Sequence, residues 1–319
     1  MTDWLLYDTH DTQRYMETGK AVKKGPNLTG IFPPLITPFT ADGEIDREAY
    51  RANLRRWKTQ PMGGWLVAGS NSEAVFLSYE EKLQLIELAA EEAGDRIIIA
   101  GTSQESARET IRFANDAARA GARAVLVLTP FYYKDQMTGE ALVAFFAEVA
   151  EESTIPILIY NVPKFTGLNV ELGVLERLSR HPNIIGMKDS KGDTEQLQRF
   201  RNALDPSFQI LAGTASVWFP ALEMGITGGF LALANCCADE CAQVQTFWDQ
   251  GRPQEALALH QKLLPVNHAV TVAYGVPGLK YACGLRGLEP GHTRSPLQPL
   301  GESQKGEIRE IMRRAGLIS

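Results

Sequence analysis

Short apolar runs alternate with longer amphipathic stretches along most of the chain. The runs fall at 31–37 (IFPPLIT), 65–68 (WLVA), 96–100 (RIIIA), 123–128 (RAVLVL), 155–160 (IPILIY), 183–187 (NIIGM), 208–212 (FQILA) and 226–233 (ITGGFLAL). The amphipathic stretches lie near 46–59, 79–93, 104–120, 138–151, 170–180, 193–203, 215–224 and 237–249. Period separates the two kinds. In YEEKLQLIELAAEE, Leu83, Ile86 and Ala90 recur three or four apart, which predicts one helical face. Ser78 precedes this stretch and Glu80 and Glu81 open it, which predicts an N-terminal cap. Residues 155–160 are apolar throughout, as in a strand covered on both faces. Eight strand–helix units in series predict an α/β fold, a (β/α)8 TIM barrel. The competing architecture is an open doubly wound sheet, which carries a glycine-rich phosphate loop after its first strand. Here that strand leads into PPLITPFTADGEID instead.

The rhythm sets the boundaries. Residues 1–27 are polar and irregular and are expected to form an N-terminal arm. Its Trp4, Leu5, Leu6 and Tyr7 suit packing on another subunit. The barrel is expected over 28–250. Only helical patterns follow, near 253–268, 276–284 and 303–315, so 251–319 reads as a C-terminal helical extension.

Composition narrows the classes of function. The 319 residues are 44% hydrophobic and 22% charged, ordinary for a globular chain. The formal charge of −6, with no basic block, disfavours nucleic acid as the main partner. No apolar run approaches the roughly 18–20 residues of a membrane helix. The start MTDWLLYDTH lacks the basic-then-apolar pattern of a secretory signal. Four cysteines do not make a disulfide scaffold. The expectation is a soluble, cytoplasmic protein with reduced thiols.

In a barrel of this kind, chemistry sits at the C-terminal ends of the strands. Lys188 ends the sixth apolar run, so its stem should be enclosed. Burying a charged amine is costly, which favours the neutral form, and a neutral amine attacks a ketone to give a Schiff base. The competing reading is a surface lysine, or one paired with Asp189, although Asp189 should point to the other side of its strand. Tyr160 ends the neighbouring run, one strand spacing of about 4.8 Å away, where a phenol can move protons or merely plug the barrel mouth. The turn GSNSE (Gly69 to Glu73) offers consecutive N–H groups and the Ser70 hydroxyl before a helix, which suits a carboxylate. Without nucleotide-loop glycine spacing it is a poor phosphate cradle. Cys236, Cys237 and Cys241 are too tightly spaced for zinc and read as buried thiols. His260 and His268, eight apart on one predicted helix, do not make a metal pair.

At these residues the chain resembles the dihydrodipicolinate synthase/N-acetylneuraminate lyase family of class I, pyruvate-handling aldolases. The pieces occur in order over about 28–300: PPLITPF, GSNSE, AGT, TPFYY, YNVPKFTG, NIIGMKDSKGD and GGFLALAN. Together with AVTVAYGVPGLK, they are most similar to 4-hydroxy-2-oxoglutarate aldolases within the family. The resemblance implies that Lys188 forms a Schiff base with pyruvate. It implies that Tyr160 shuttles protons, with Ser70 in the relay. Ser70 and Asn71 would hold the pyruvate carboxylate, and Ser190, Gly213 and Phe230 would line the substrate. Tyr132 would reach a neighbouring subunit's site, which implies tight dimers and a homotetramer. No metal or organic cofactor is implied.

Departures from the family bear on the substrate. The synthases carry YNVPxRTG, whose arginine binds the aldehyde's carboxylate; here that position is Phe165, and the adjacent Lys164 lacks the bidentate fork. Sialic acid lyases place acids after the seventh strand, where this chain has Gly213 to Ser216 (GTAS). The expected reaction is cleavage of a 4-hydroxy-2-keto acid to pyruvate and an aldehyde, with 4-hydroxy-2-oxoglutarate giving glyoxylate as the first choice. The alternatives are a sugar-derived keto-acid aldolase or dehydratase, dihydrodipicolinate synthase, and a keto-acid-binding barrel without catalysis.

Overall fold

The computed structural model describes residues 25–102 and 104–319. Most of the expected arm therefore lies outside the described residues. The strands are β1 (Gly30–Ile31), β2 (Gly64–Val67), β3 (Ile97–Thr102), β4 (Ala124–Leu128), β5 (Ile157–Asn161), β6 (Ile184–Asp189), β7 (Gln209–Ala212) and β8 (Gly228–Gly229). A helix follows each: α1 (Arg47–Lys58), α2 (Tyr79–Ala93), α3 (Ala107–Arg119), α4 (Gly139–Glu152), α5 (Leu172–Leu178), α6 (Thr194–Ala203), α7 (Trp218–Glu223) and α8 (Ala238–Asp249). All pairings are parallel, in the order β1-β8-β7-β6-β5-β4-β3-β2. The Leu35 N–H to Leu66 C=O bond (2.9 Å) and the Leu66 N–H to Pro33 C=O bond (3.0 Å) close β1 onto β2. The fold is the (β/α)8 barrel.

The first and last strands are shorter than their apolar runs. Pro33 and Pro34 have no N–H to give to a ladder, so β1 ends at Ile31 and continues as a single bridge, Pro34 to Leu66. After β8, one further bond, Phe230 N–H to Ala212 C=O (2.7 Å), precedes a tight helical turn, Ala232–Asn235. That turn clamps the barrel seam. The Asn235 side chain accepts from Ile36 N–H (3.1 Å) and donates to Pro34 C=O (2.9 Å).

Alternation along the strands builds two cores. Leu66, Ile99, Leu126, Leu158, Leu211 and Phe230 fill the barrel interior. Trp65, Val67, Val125, Val127, Ile157, Ile159 and Met187 face outward into the helices. The predicted cap of α2 is present. The Ser78 side chain accepts from Glu81 N–H and the Glu81 carboxylate accepts from Ser78 N–H, a reciprocal capping box. The buried face of α2 is offset from the predicted one. It runs through Leu85, Ile86, Ala89 and Ala93, while Leu83 and Ala90 are half-buried, because the barrel covers a stripe wider than one residue row.

Beyond the barrel come α9 (Pro253–Asn267), α10 (Gly275–Leu285) and α11 (Glu302–Arg314). Their Leu263, Val266, Leu279, Cys283, Ile308 and Met312 join the outer core. His260 is buried in α9, but His268 opens a π-helical segment, His268–Ala273, so the two do not share one regular helix. No helix among the described residues is long and apolar enough to cross a membrane.

Candidate active site

Lys188 faces into the barrel because β6 carries a bulge. Ile157 of β5 pairs with Ile184, yet the next residue, Leu158, pairs with Gly186. Ile185 is the extra residue, and a one-residue slip flips every following side chain to the other face. The slip places Tyr160 opposite Lys188 and Ile159 opposite Met187. Without it the lysine would point outward. Gly186 permits the bulge's close approach, since a Cβ there would collide with the Gln209 carbonyl of β7.

Lys188 is 4% exposed. Its Nζ lies 4.2 Å from the centroid of the Tyr160 ring and 5.5 Å from that of Phe230. Burial alone would raise the Tyr160 pKa. The Lys188 charge and hydrogen bonding with Ser70, Ser190 and Lys188 outweigh it, and the phenol sits below the ordinary tyrosine value. The site is thus a buried amine under a phenol held between two serine hydroxyls. Ser190 also donates to Gly213 C=O (3.2 Å), and a Cβ at Gly213 would collide with the Ser190 hydroxyl and the Asp189 carbonyl. Glycine is needed there to let the ends of β6 and β7 meet.

The structure therefore brings together Lys188, Tyr160, Ser70, Ser190, Gly213 and Phe230 out of the residues singled out by sequence. Asn71 is half-buried in the same turn as Ser70, Ser70–Ser72, where leading N–H groups have no partner within the turn. Tyr132 stands at the surface of the single chain. It is 75% exposed and stacks edge-on against Tyr133, with ring centroids 5.1 Å apart. The Glu105 carboxylate fixes its backbone by accepting from the N–H groups of Phe131 (3.0 Å) and Tyr132 (3.1 Å). Asp189 points away from Lys188, as expected, and accepts from Gln196 Nε2 (2.7 Å) and Lys191 N–H (2.7 Å). Cys236, Cys237, Cys241 and Cys283 are buried free thiols, and burial raises the Cys241 thiol well above its usual range.

Sequence reasoning missed two charged residues beside the site. Glu73 and Lys280 are both buried and form an ion pair of 2.6 Å. A signal was available: Lys280 lies among Leu279, Ala282 and Cys283 on the buried face of a helical pattern, where a solvated lysine has no place.

The sequence model of the dihydrodipicolinate synthetase family matches residues 27–315. The chain belongs to that family. It is 33% identical over 294 residues to the 4-hydroxy-tetrahydrodipicolinate synthase of Bartonella bacilliformis, covering 91% of this chain and 99% of that one. It is 32% identical over 284 residues to the enzyme of the same name from Methanothrix thermoacetophila, covering 89% and 95%. Among solved structures, YagE, a prophage protein of the dihydrodipicolinic acid synthase family from E. coli K12 in complex with pyruvate, superposes with a TM-score of 0.86. The identity is 28%, and 92% of this chain and 100% of YagE are covered. The 4-hydroxy-tetrahydrodipicolinate synthase of Methylacidiphilum fumariolicum SolV gives 0.84 at 29% identity, covering 91% and 96%. The chain is accordingly a carbon–carbon lyase, a class I pyruvate-dependent aldolase.

Proposed function

We propose that Lys188 attacks the C2 carbonyl of pyruvate, or of a 2-keto acid with a pyruvyl end, and forms a Schiff base. The observation that carries this is the buried amine 4.2 Å from the Tyr160 ring, whose phenol is shared with Ser70 and Ser190. The protonated imine is an electron sink. In cleavage, Tyr160 takes the C4 hydroxyl proton through Ser70, the C3–C4 bond breaks, and the enamine is reprotonated and hydrolysed to pyruvate. In condensation the same steps run backwards. The turn at Ser70 and Asn71 holds the carboxylate, and Ser190, Gly213 and Phe230 shape the pocket around the imine. Tyr132, exposed on this chain, completes the relay in a neighbouring copy, so the working unit is a homo-oligomer, a tetramer of tight dimers in the cytoplasm.

The relatives' names support one choice of aldehyde. 4-Hydroxy-tetrahydrodipicolinate minus the carbons of pyruvate is a four-carbon amino acid ending in an aldehyde, aspartate 4-semialdehyde. The names support this synthase reading better than the 4-hydroxy-2-oxoglutarate cleavage expected from the motifs. One observation counts against an aldehyde carboxylate in either reading and favours a neutral, sugar-derived keto acid. Phe165, 58% exposed, occupies the position of the arginine that the synthases aim at the aldehyde's carboxylate. The Lys164 amine lies 5.8 Å from its ring centroid.

Comparing the two substrates decides between them. Under the synthase reading, pyruvate is consumed with aspartate 4-semialdehyde at a higher kcat/KM than 4-hydroxy-2-oxoglutarate is cleaved; the reverse order establishes cleavage. Phe165→Arg is expected to raise kcat/KM for aspartate 4-semialdehyde about 10- to 100-fold, since a charged hydrogen bond contributes about 1.5–3 kcal/mol. An unchanged value would place that carboxylate elsewhere in the site.

A further inference from the structure

The turn Ser70–Ser72 is bracketed by two non-glycine residues in the left-handed region, Ala68 (φ 54°) and Glu73 (φ 59°). Such residues are uncommon outside glycine and persist where surrounding structure over-determines them. For Ala68 the device is local. Its carbonyl faces Gly101 of β3, where a Cβ would collide with it. For Glu73 the device comes from the far end of the sequence. Its carboxylate is enclosed and pairs with the Lys280 amine of α10 at 2.6 Å. Its other oxygen accepts the Arg294 N–H at 2.8 Å. Lys280 also donates to the His292 carbonyl (2.5 Å).

The same segment grips the C-terminal flank of the turn and the loop after β1. The Arg294 guanidinium donates to the carbonyls of Gly43 (2.9 Å) and Phe76 (2.8 Å) and to the Glu81 carboxylate (2.6 Å), at the start of α2. Lys280 and Arg294 both lie against the Phe39 ring, 4.7 and 4.3 Å from its centroid. A buried ion pair is weak evidence for net stability, because its attraction is offset by lost hydration, whereas removing one partner strands a buried charge. What this pair fixes is geometry: it ties the residue that closes the turn to a helix outside the barrel.

We infer that Glu73 and Lys280 are positioning residues that hold the Ser70–Asn71 turn in the shape that receives the substrate carboxylate, so that the C-terminal helices form part of the active site. The inference rests on the reading that pyruvate reacts at Lys188.

The test is borohydride trapping of pyruvate on Lys188, read by intact mass against pyruvate concentration. The parent is compared with Lys280→Met, Glu73→Gln and the double variant, each with its circular dichroism and thermal transition. Lys280→Met is expected to raise the half-saturating pyruvate concentration about tenfold while the saturated trapping rate stays within about twofold. The double variant removes the stranded charge without restoring the tie, so it is expected to keep most of that loss; recovery to parental half-saturation would assign the loss to the stranded charge and overturn the inference. A folded Lys280→Met with parental half-saturation overturns the positioning role, as does a loss confined to the saturated rate. Should Lys280→Met fail to fold, the near-isosteric Glu73→Gln decides: parental half-saturation there overturns the inference. No adduct in the parent overturns the pyruvate reading and the inference with it; an adduct in the parent with indifferent variants overturns the inference alone.

Discussion

Lys188→Ala is expected to abolish the borohydride-trapped pyruvate adduct and to lower turnover by about 10³-fold or more, the scale for losing a covalent nucleophile. The argument is one of place and competition. Lys188 is the amine that the β6 bulge turns into the barrel, against Tyr160. Among the described residues, two other lysines are buried, and both have lowered pKa values caused first by burial. Lys280 is occupied by Glu73 and the His292 carbonyl. Lys82 lies on α2, outside the strand ends. Removing Lys188 leaves a cavity but no stranded charge, so the variant should fold, and circular dichroism checks this. Intact mass after trapping is the measurement. An adduct of undiminished yield in Lys188→Ala would move the imine to another lysine and dismantle the proposed site.

How far the sequence foretold this arrangement depends on how local each determinant is. The helices were legible because a 3.6-residue period and a capping serine act within one element, as at Ser78. The eight-fold alternation carried the barrel, and the strand ends carried Lys188, Tyr160 and Ser70. The face that Lys188 presents was not decided by its own run. It depends on which residue of β6 is skipped in pairing with β5, and only Gly186 hinted at that. The lengths of β1 and β8 depended on prolines and on the Asn235 clamp, which reaches across nearly the whole barrel sequence. The Glu73–Lys280 pair joins positions about 200 residues apart. No periodicity reports such a contact. A charged residue within an apolar pattern reports only that some partner is required.

Tyr160→Phe should separate imine formation from proton transfer. The phenylalanine keeps the ring beside the Lys188 amine, so pyruvate should still be trapped at Lys188. Without the hydroxyl, nothing takes or returns the proton at C3 of the enamine. Exchange of the C3 hydrogens of pyruvate for deuterium is expected to fall about 10²–10³-fold, the usual yield of a positioned acid–base group. The pH dependence has a definite sign. Burial raises the phenol's pKa, but the Lys188 charge and the Ser70 and Ser190 hydroxyls bring it below its ordinary value. As pH rises through that lowered pKa, the phenolate forms and can act as base. Parental exchange should therefore increase with pH and level off below the pH at which an ordinary tyrosine, of pKa about 10, would titrate. Tyr160→Phe should lack that limb. Exchange at the parental rate in Tyr160→Phe, or the same rising limb in both proteins, would assign the proton transfer to another group and leave Tyr160 as a wall of the barrel mouth.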